Sequence, residues 1–253
     1  MKNTILISTI LFLFTSCYSL KESTNSYINN VPNVNMFEEV GDMQVSGQAG
    51  LNHEEIQVGC AVDSRIAVSG SIYTGLGGQE YFDLSVGYWK QIDKEIGSYF
   101  AVDFGYGEAR VQSENFSLYT GISLNGDYLH RDISYKRAFV QPVFYLTGPQ
   151  RVSKIAFGVR LSKLYFDNYK YLLQHYNGHE IVNQDTKNFT GRSNEWVFMY
   201  STNHRKFLEF NFQLVIAERY AKDVNLWQHG QYRPNIFYIN TGIRLNLNYL
   251  LKL

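Results

Sequence analysis

Histidine side chains offer the first chemistry to consider, because a neutral imidazole can bind zinc or accept a proton near neutral pH. His175 and His179 flank Asn177-Gly178, a dipeptide that supplies the positive φ angles of a two-residue turn. Such a turn would place the two histidines on paired strands. His175 lies two residues before the turn and His179 one residue after it, so their side chains are expected to point to opposite faces. We therefore predict solvated loop histidines here and no metal site.

A second arrangement is the run His130-Arg131-Asp132, in which a base stands near a carboxylate that would orient it. Successive residues of a strand face opposite ways, which argues against a catalytic pair. The sequence contains neither G-x-S-x-G nor H-E-x-x-H, the patterns of a nucleophile elbow and of a zinc peptidase. We predict no catalytic residue and no cofactor, and we keep a lipid-modifying barrel enzyme as an alternative that no motif supports.

Charged side chains form a third group, because they occupy the polar positions of alternating segments and would face the inside of a barrel. Eight of them make up a predicted lumen charge network: Arg65, Asp83, Asp103, Arg137, Lys154, Arg160, Glu209 and Arg244. We interpret the network as ion pairs that keep the barrel shut, since about ten strands leave little room once side chains fill the interior. The alternative is a narrow pore, lined by the basic excess, with a weak preference for anions.

The N-terminus predicts export. A basic start, a short apolar core over Ile5–Phe14 and small residues after it form a predicted signal peptide over 1–16. Phe14-Thr15-Ser16-Cys17 resembles a bacterial lipobox, so Cys17 is predicted to be lipidated and to become the mature N-terminus. The polar stretch that follows has no period of 2 or 3.6, and we predict a lipidated N-terminus and tether over 17–40.

From residue 41 onward, apolar and polar residues alternate, which is the pattern of half-buried strands. The ten predicted strands are 42–49, 55–62, 65–74, 81–90, 99–106, 135–146, 154–162, 193–201, 207–216 and 237–249. The connections alternate in length, with long ones predicted at 113–128, 166–191 and 218–234. Short turns at one end, long loops at the other and an even strand number are typical of outer-membrane barrels. We therefore predict an all-β, antiparallel up-and-down barrel domain over 41–253.

The orientation of the two sheet faces separates a membrane barrel from a soluble one. The apolar face, which includes Phe210, Phe212, Leu245 and Leu247, carries essentially no charge. The other face combines Asn, Gln, Ser, Gly and Tyr with scattered ions, which suits an enclosed lumen better than a water-exposed surface. We predict that the apolar face meets lipid. A tethered soluble barrel that binds a small apolar ligand inside is the alternative, with the faces exchanged.

Composition narrows the classes of partner. The 23 Lys and Arg balance the 23 Asp and Glu, so the chain has no net field to hold nucleic acid. Charged residues make up only 18 % of the chain, while Tyr and Phe are abundant at 20 and 17. Two cysteines cannot build a disulfide framework. We predict membrane lipid as a partner and no nucleic acid.

Three runs carry a resemblance to a known group of proteins: Val40–Gly47, Phe139–Val143 and Ile155–Ser162. In these runs the chain resembles uncharacterised small outer-membrane β-barrel lipoproteins of Bacteroidota. The resemblance implies an outer-membrane location, and it brings no established activity and no catalytic residue.

These observations predict a lipoprotein barrel of the cell outer membrane. Its expected role is structural or in surface interaction, with the long loops meeting an extracellular or envelope partner. The alternatives left open are the soluble ligand-binding barrel, the narrow pore and the lipid-modifying enzyme.

Overall fold

The computed structural model describes residues 30–49, 53–75, 78–113, 128–148, 152–174, 180–205, 207–221 and 235–250. Ten strands close into one antiparallel barrel of outer-membrane type, which confirms the predicted fold class. The strands are β1 Met43–Ala49, β2 His53–Ala61, β3 Ile66–Gly75, β4 Gln79–Asp93, β5 Ser98–Ser113, β6 Tyr128–Thr147, β7 Ser153–Gln174, β8 Glu180–Arg205, β9 Leu208–Ala221 and β10 Asn235–Asn246.

Each strand pairs with its neighbours in sequence, and the barrel closes where β1 pairs with β10. The strand predicted to reach residue 249 ends at Asn246 and gives way to a single helical turn, α1 Leu247–Leu250. The strand ends there because its two neighbours end at the same level. Asn246 pairs with Gln44, near the start of β1, and Leu245 pairs with Leu208, the first residue of β9, so later residues have no strand to pair with. Within the described ranges, no helix is long and apolar enough to cross a membrane.

The two ends of the barrel differ. The connections 62–65, 94–97 and 148–152 lie at one end together with the start of β1 and the end of β10, and we call this the short-turn end. The opposite, long-loop end carries 114–127 and 222–234, which fall within two predicted long loops and lie outside the described residues.

The third predicted long connection, 166–191, consists largely of strand residues. β7 continues to Gln174 and β8 begins at Glu180, so the two strands form a ribbon as the turn dipeptide Asn177-Gly178 predicts. That turn lies outside the described residues, as does Asn125-Gly126, a second dipeptide of this kind between β5 and β6. The strands extend because Tyr169, Phe189 and their neighbours bury their rings on the inner face of the ribbon.

The outer face of the barrel is apolar and exposed. Leu84 is 67 % exposed and Phe104 is 59 % exposed, whereas Asp83 on the alternate face of β4 is buried. On β4 the outward positions between Glu80 and Lys90 are all uncharged, a stretch of about 26 Å along the barrel axis at a tilt of ~40°. That height matches the apolar band of roughly 25 Å found on outer-membrane barrels.

Glycines on the inner face make room for large lumen side chains. The ring of Phe139 on β6 lies directly over Gly105 on β5, and a Cβ added there would come within 2.1 Å of the ring. Gly47, on the outer face of β1, has nothing within 4 Å of the equivalent position. The small residue at 105 is therefore what lets the ring lie against the wall.

Gly105→Ala is expected to destabilise the barrel by about 1–3 kcal/mol, because the ring must leave its position in a filled interior. Urea unfolding in lipid vesicles, followed by tryptophan fluorescence, would measure this loss. Gly47→Ala is the matched control and should leave the midpoint unchanged. Equal midpoints for Gly105→Ala and the unsubstituted protein would contradict the close packing over Gly105.

Candidate functional site in the barrel lumen

The lumen is occupied by the chain's own N-terminal side. Residues 30–38, which we call the plug segment, lie inside the barrel, and Val31, Val34 and Met36 are 0 % exposed. The prediction that a tether extends over 17–40 is wrong for this part of the range. An extended chain inside a barrel is covered on all sides, so its apolar residues need not recur with the period of a strand or a helix. Its sequence therefore looks like that of a linker.

A tight turn at the short-turn end connects the plug segment to β1. The Asp42 carboxylate accepts hydrogen bonds from the backbone N–H of Glu38 and Glu39, at 2.7 and 2.9 Å. Gly41 has a φ of 82°, a conformation that favours glycine, and its N–H donates to the Ala61 carbonyl. The chain therefore reverses direction below β1, and the plug segment runs into the lumen from the short-turn end.

The barrel wall forms hydrogen bonds with the backbone carbonyls of the plug segment. Six of these carbonyls accept a hydrogen bond from a lumen side chain on one of five strands. The pairs are Arg160 to Asn30 at 2.7 Å, Gln57 to Val31 at 3.1 Å, Gln141 to Asn33 at 2.8 Å, Arg244 to Val34 at 2.6 Å, Gln44 to Met36 at 2.8 Å and Tyr145 to Phe37. These bonds satisfy a backbone that has no ladder partner of its own.

Two backbone N–H groups of the plug segment are also bonded to the wall. Val31 donates to the Glu55 carboxylate at 2.9 Å, and Met36 donates to the side-chain oxygen of Gln44 at 3.3 Å. Gln44 thus both donates to and accepts from the same residue, as a paired strand would. The contacts with Glu55 and Gln44 place the plug segment against β2 and β1 along its length.

A basal ion cluster lies near the short-turn end. The Lys154 ammonium contacts Glu209 at 2.8 Å and Glu38 of the plug segment at 3.0 Å. Arg244 approaches the second Glu209 oxygen at 3.6 Å, and Asn246 donates to Glu209 at 2.8 Å. Because Glu209 is completely buried, these cations and donors are what make its charge tolerable there.

A central ion cluster lies deeper in the lumen. Glu195 pairs with Arg160 and lies 3.9 Å from Arg137, which is 3.4 Å from Asp83. Both arginines donate to the side-chain oxygen of Asn30, at 2.8 Å from Arg137 and 3.2 Å from Arg160. The first described residue of the plug segment is therefore anchored in this cluster.

The tyrosine of the central cluster connects its ions. Tyr81 donates to the Asp83 carboxylate at 2.8 Å and accepts from Arg137, whose guanidinium also lies 4.3 Å from the Tyr81 ring centre. Arg137 therefore combines a cation–π contact with its ion pairs. All three side chains are buried, so the cluster closes this level of the lumen.

The structure brings together six of the eight predicted lumen charges: Asp83, Arg137, Lys154, Arg160, Glu209 and Arg244. Asp103 faces the lumen from β5, against Gly87, and is partly exposed. Arg65 lies elsewhere, because it is exposed in the connection before β3 begins at Ile66. The alternation that predicted its direction does not extend into that turn.

Three carboxylates of the lumen were missed from the sequence: Glu38, Glu55 and Glu195. Glu55 lies two residues from the buried Gln57, and Glu195 lies two residues from the buried Val197. Because residues two apart on a strand face the same way, this spacing is the signal that could have identified both carboxylates. The buried charges now balance: Arg137, Lys154, Arg160 and Arg244 against Glu55, Asp83, Glu195 and Glu209. The basic excess that would favour anions is thus not present among the buried charges of the described lumen.

An aromatic cluster fills the lumen above the ions, toward the long-loop end. Its buried members are Tyr73, Tyr81, Ala109, Val111, Ile133, Tyr135, Leu164, Phe166, Tyr169 and Phe189. Phe166 and Phe189 stack with ring centres 4.4 Å apart, and Tyr169 meets Phe189 edge-on at 5.7 Å. This upper aromatic cluster ties the ribbon of β7 and β8 to the barrel wall.

Only one of the two histidine arrangements considered in the sequence lies within the described residues. His130 and Asp132 are two positions apart and share a face of β6, contrary to the opposite facing expected from the run, and Asp132 accepts a hydrogen bond from Asn168 at 2.9 Å. His175, His179 and Cys17 lie outside the described residues. Across the part of the chain that is described, no three or more His, Cys, Asp or Glu side chains are grouped to hold a metal ion.

Comparison with known proteins identifies no family for this chain. No protein family matches the sequence, and no curated protein matches it. Among solved structures, LpxR from Salmonella typhimurium is similar at a TM-score of 0.34 and 8 % sequence identity, over 81 % of this chain and 99 % of that chain.

Proposed function

We propose that this chain is an outer-membrane barrel, closed by its own N-terminal side, with a structural or surface-interaction role. The observation that carries the proposal is the outer face, where an uncharged apolar band of membrane height surrounds a polar, filled lumen. Side chains such as Leu84 and Phe104 are well exposed on this face. Lipid acyl chains are the environment that such a band requires.

The two non-enzymatic alternatives are less compatible with the lumen. A soluble barrel for an apolar ligand needs an apolar interior, whereas the described interior holds eight buried charges and the plug segment. A narrow pore needs a continuous polar path, whereas the plug segment, the two ion clusters and the upper aromatic cluster follow one another along the lumen. A closed barrel agrees with both observations.

The long-loop end is the proposed site of interaction with a partner in the envelope or outside the cell. β8 runs from Arg192 to Glu180 beyond the apolar band, about 30 Å at the same rise and tilt. The paired strand β7 and the upper aromatic cluster support this ribbon from one side. A rigid ribbon that stands clear of the membrane suits contact with another molecule, and Cys17 supplies the proposed lipid anchor.

The proposal is tested by membrane association with and without the anchor. Native protein and Cys17→Ala should both remain in the membrane pellet after carbonate extraction, because the barrel spans the bilayer by itself. Unboiled samples of both should also migrate faster on denaturing gels than boiled ones. Incorporation of labelled fatty acid should be lost in Cys17→Ala alone.

Release of folded Cys17→Ala into the carbonate supernatant would overturn the membrane proposal and favour a tethered soluble barrel. Retention of the label by Cys17→Ala would separately overturn lipidation at that residue.

A further inference from the structure

Most of the described hydrogen bonds between the barrel wall and the plug segment involve the backbone of that segment. Carbonyls from Asn30 to Phe37 accept from side chains on β1, β2, β6, β7 and β10. We propose that the lumen is a binding site for an extended polypeptide segment, uncharged except for a carboxylate at its short-turn end, occupied here by residues 30–38 and able to take an equivalent segment from another polypeptide. This inference rests on the inner face and is independent of the membrane proposal.

Recognition through carbonyls tolerates different sequences, because every residue offers the same acceptor. A peptide that adds to the edge of a sheet is also bound through its carbonyls, but the donors there are main-chain N–H groups. Here the donors are long side chains, chiefly Gln44, Gln57, Gln141, Arg160 and Arg244, which reach a chain in the barrel centre. The site therefore selects first for an extended backbone.

Side chains of the plug segment add a second requirement. Val34, Met36 and Phe37 pack in an apolar layer with wall residues, and the Phe37 ring lies 6.2 Å from the Trp89 ring. Residues 30–37 carry no charge, and the four buried cations of the wall are already balanced by four buried carboxylates. Glu38, at the short-turn end of the plug segment, pairs with Lys154, whereas a charge introduced at residues 30–37 would disturb this balance. The chemistry thus defines the ligand as extended, partly apolar and uncharged except at its short-turn end.

The connection between plug segment and barrel is accessible. Glu39, Val40 and Gly41 are exposed at the short-turn end, with Val40 at 55 %. A cut at Val40 would separate the plug segment from β1 without touching a residue that lines the lumen. After the cut, only non-covalent contacts would retain the segment, so exchange with a second peptide becomes measurable.

The test inserts a site-specific protease sequence between Val40 and Gly41 of the full chain. The folded protein is cleaved in detergent and mixed with excess fluorescent peptide of residues 30–38, both directly at raised temperature and during refolding from urea. We expect saturable label on the fast-migrating, unboiled barrel. Unlabelled peptide should compete for it.

Two peptide variants separate backbone from side-chain recognition. A peptide with reduced bonds in place of the Asn33 and Val34 carbonyls should bind at least tenfold more weakly, because Gln141 and Arg244 lose their acceptors. A peptide with Asn35→Ala should bind within about threefold of the parent, since its backbone is unchanged.

Matched protein variants check the wall. Gln141→Leu removes the donor to Asn33 and should weaken peptide binding about tenfold. Gln213→Leu is the control, because its described hydrogen bond goes to Met199 at 3.5 Å and not to the plug segment. Affinity for the peptide should be unchanged there.

Three results would overturn the inference. The first is folded, cleaved barrel that takes up no label by either route. The second is equal affinity for the parent and reduced-bond peptides. The third is equal losses for Gln141→Leu and Gln213→Leu. None of these bears on carbonate extraction, so failure here is distinguishable from failure of the membrane proposal.

Discussion

Glu195→Leu should lower the free energy of unfolding by about 3–5 kcal/mol, the usual effect of removing one partner from a buried ion pair. Glu195 is 0 % exposed and pairs with Arg160, and it also lies 3.9 Å from Arg137. Its removal takes from the buried Arg160 the carboxylate with which it pairs, whereas its hydrogen bonds to Asn30 go to neutral oxygens. Urea unfolding in lipid vesicles measures the loss.

Two variants control this experiment. Lys136→Ala removes an exposed ion pair with Asp167, at 3.4 Å, and should leave the unfolding midpoint unchanged. The double variant with Arg160→Met and Glu195→Leu removes both charges and should recover a large part of the loss, as apolar replacements of buried pairs commonly do. If Glu195→Leu unfolds at the native midpoint, the central ion cluster has no stabilising role.

Leu84→Arg should destabilise the membrane-inserted barrel by about 2–4 kcal/mol, because a guanidinium near the bilayer midplane loses its hydration. Leu84 lies near the middle of the apolar band and is 67 % exposed. In a water-exposed strand the same change would fall within about 0.5 kcal/mol. Unfolding from vesicles, compared with unfolding in detergent micelles, measures the effect and its dependence on the bilayer.

Glu80→Arg is the matched control at the edge of the band. Its position on the same strand and the same face already holds a charge, so the expected change is close to zero. Equal midpoints for Leu84→Arg and Glu80→Arg would show that depth along the strand has no influence, which contradicts a lipid-facing β4.

The barrel itself was predictable because alternation has a period of two and each strand repeats it. Asp83 and Leu84 are neighbours in sequence, yet one is buried and the other exposed, as their parity predicts. The alternation of short and long connections along the chain predicted that the barrel has a short-turn end and a long-loop end. The dipeptide Asn177-Gly178 indicated that two strands meet beyond residue 166, but the ring packing that stabilises their ribbon follows no local pattern.

The plug segment was not predictable from local sequence. Its contacts join residues far apart in the chain, such as Asn30 with Arg137 and Val34 with Arg244, and an uncharged segment without periodicity also describes a linker. Parity identifies which residues face the lumen but not which level of the lumen they share. Parity therefore marks Glu195 as a lumen residue, but it does not show that Glu195 lies at the level of Arg137 and Arg160.

The plug segment also constrains the order in which the barrel can form. It precedes β1 in the chain, yet its Val34 carbonyl is held by Arg244 on β10, the last strand to be synthesised. The plug segment therefore gains this wall contact only when β10 is in place, and β10 also forms the seam with β1. Both contacts join residues far apart in the chain, and the loop-closure entropy that they carry slows assembly.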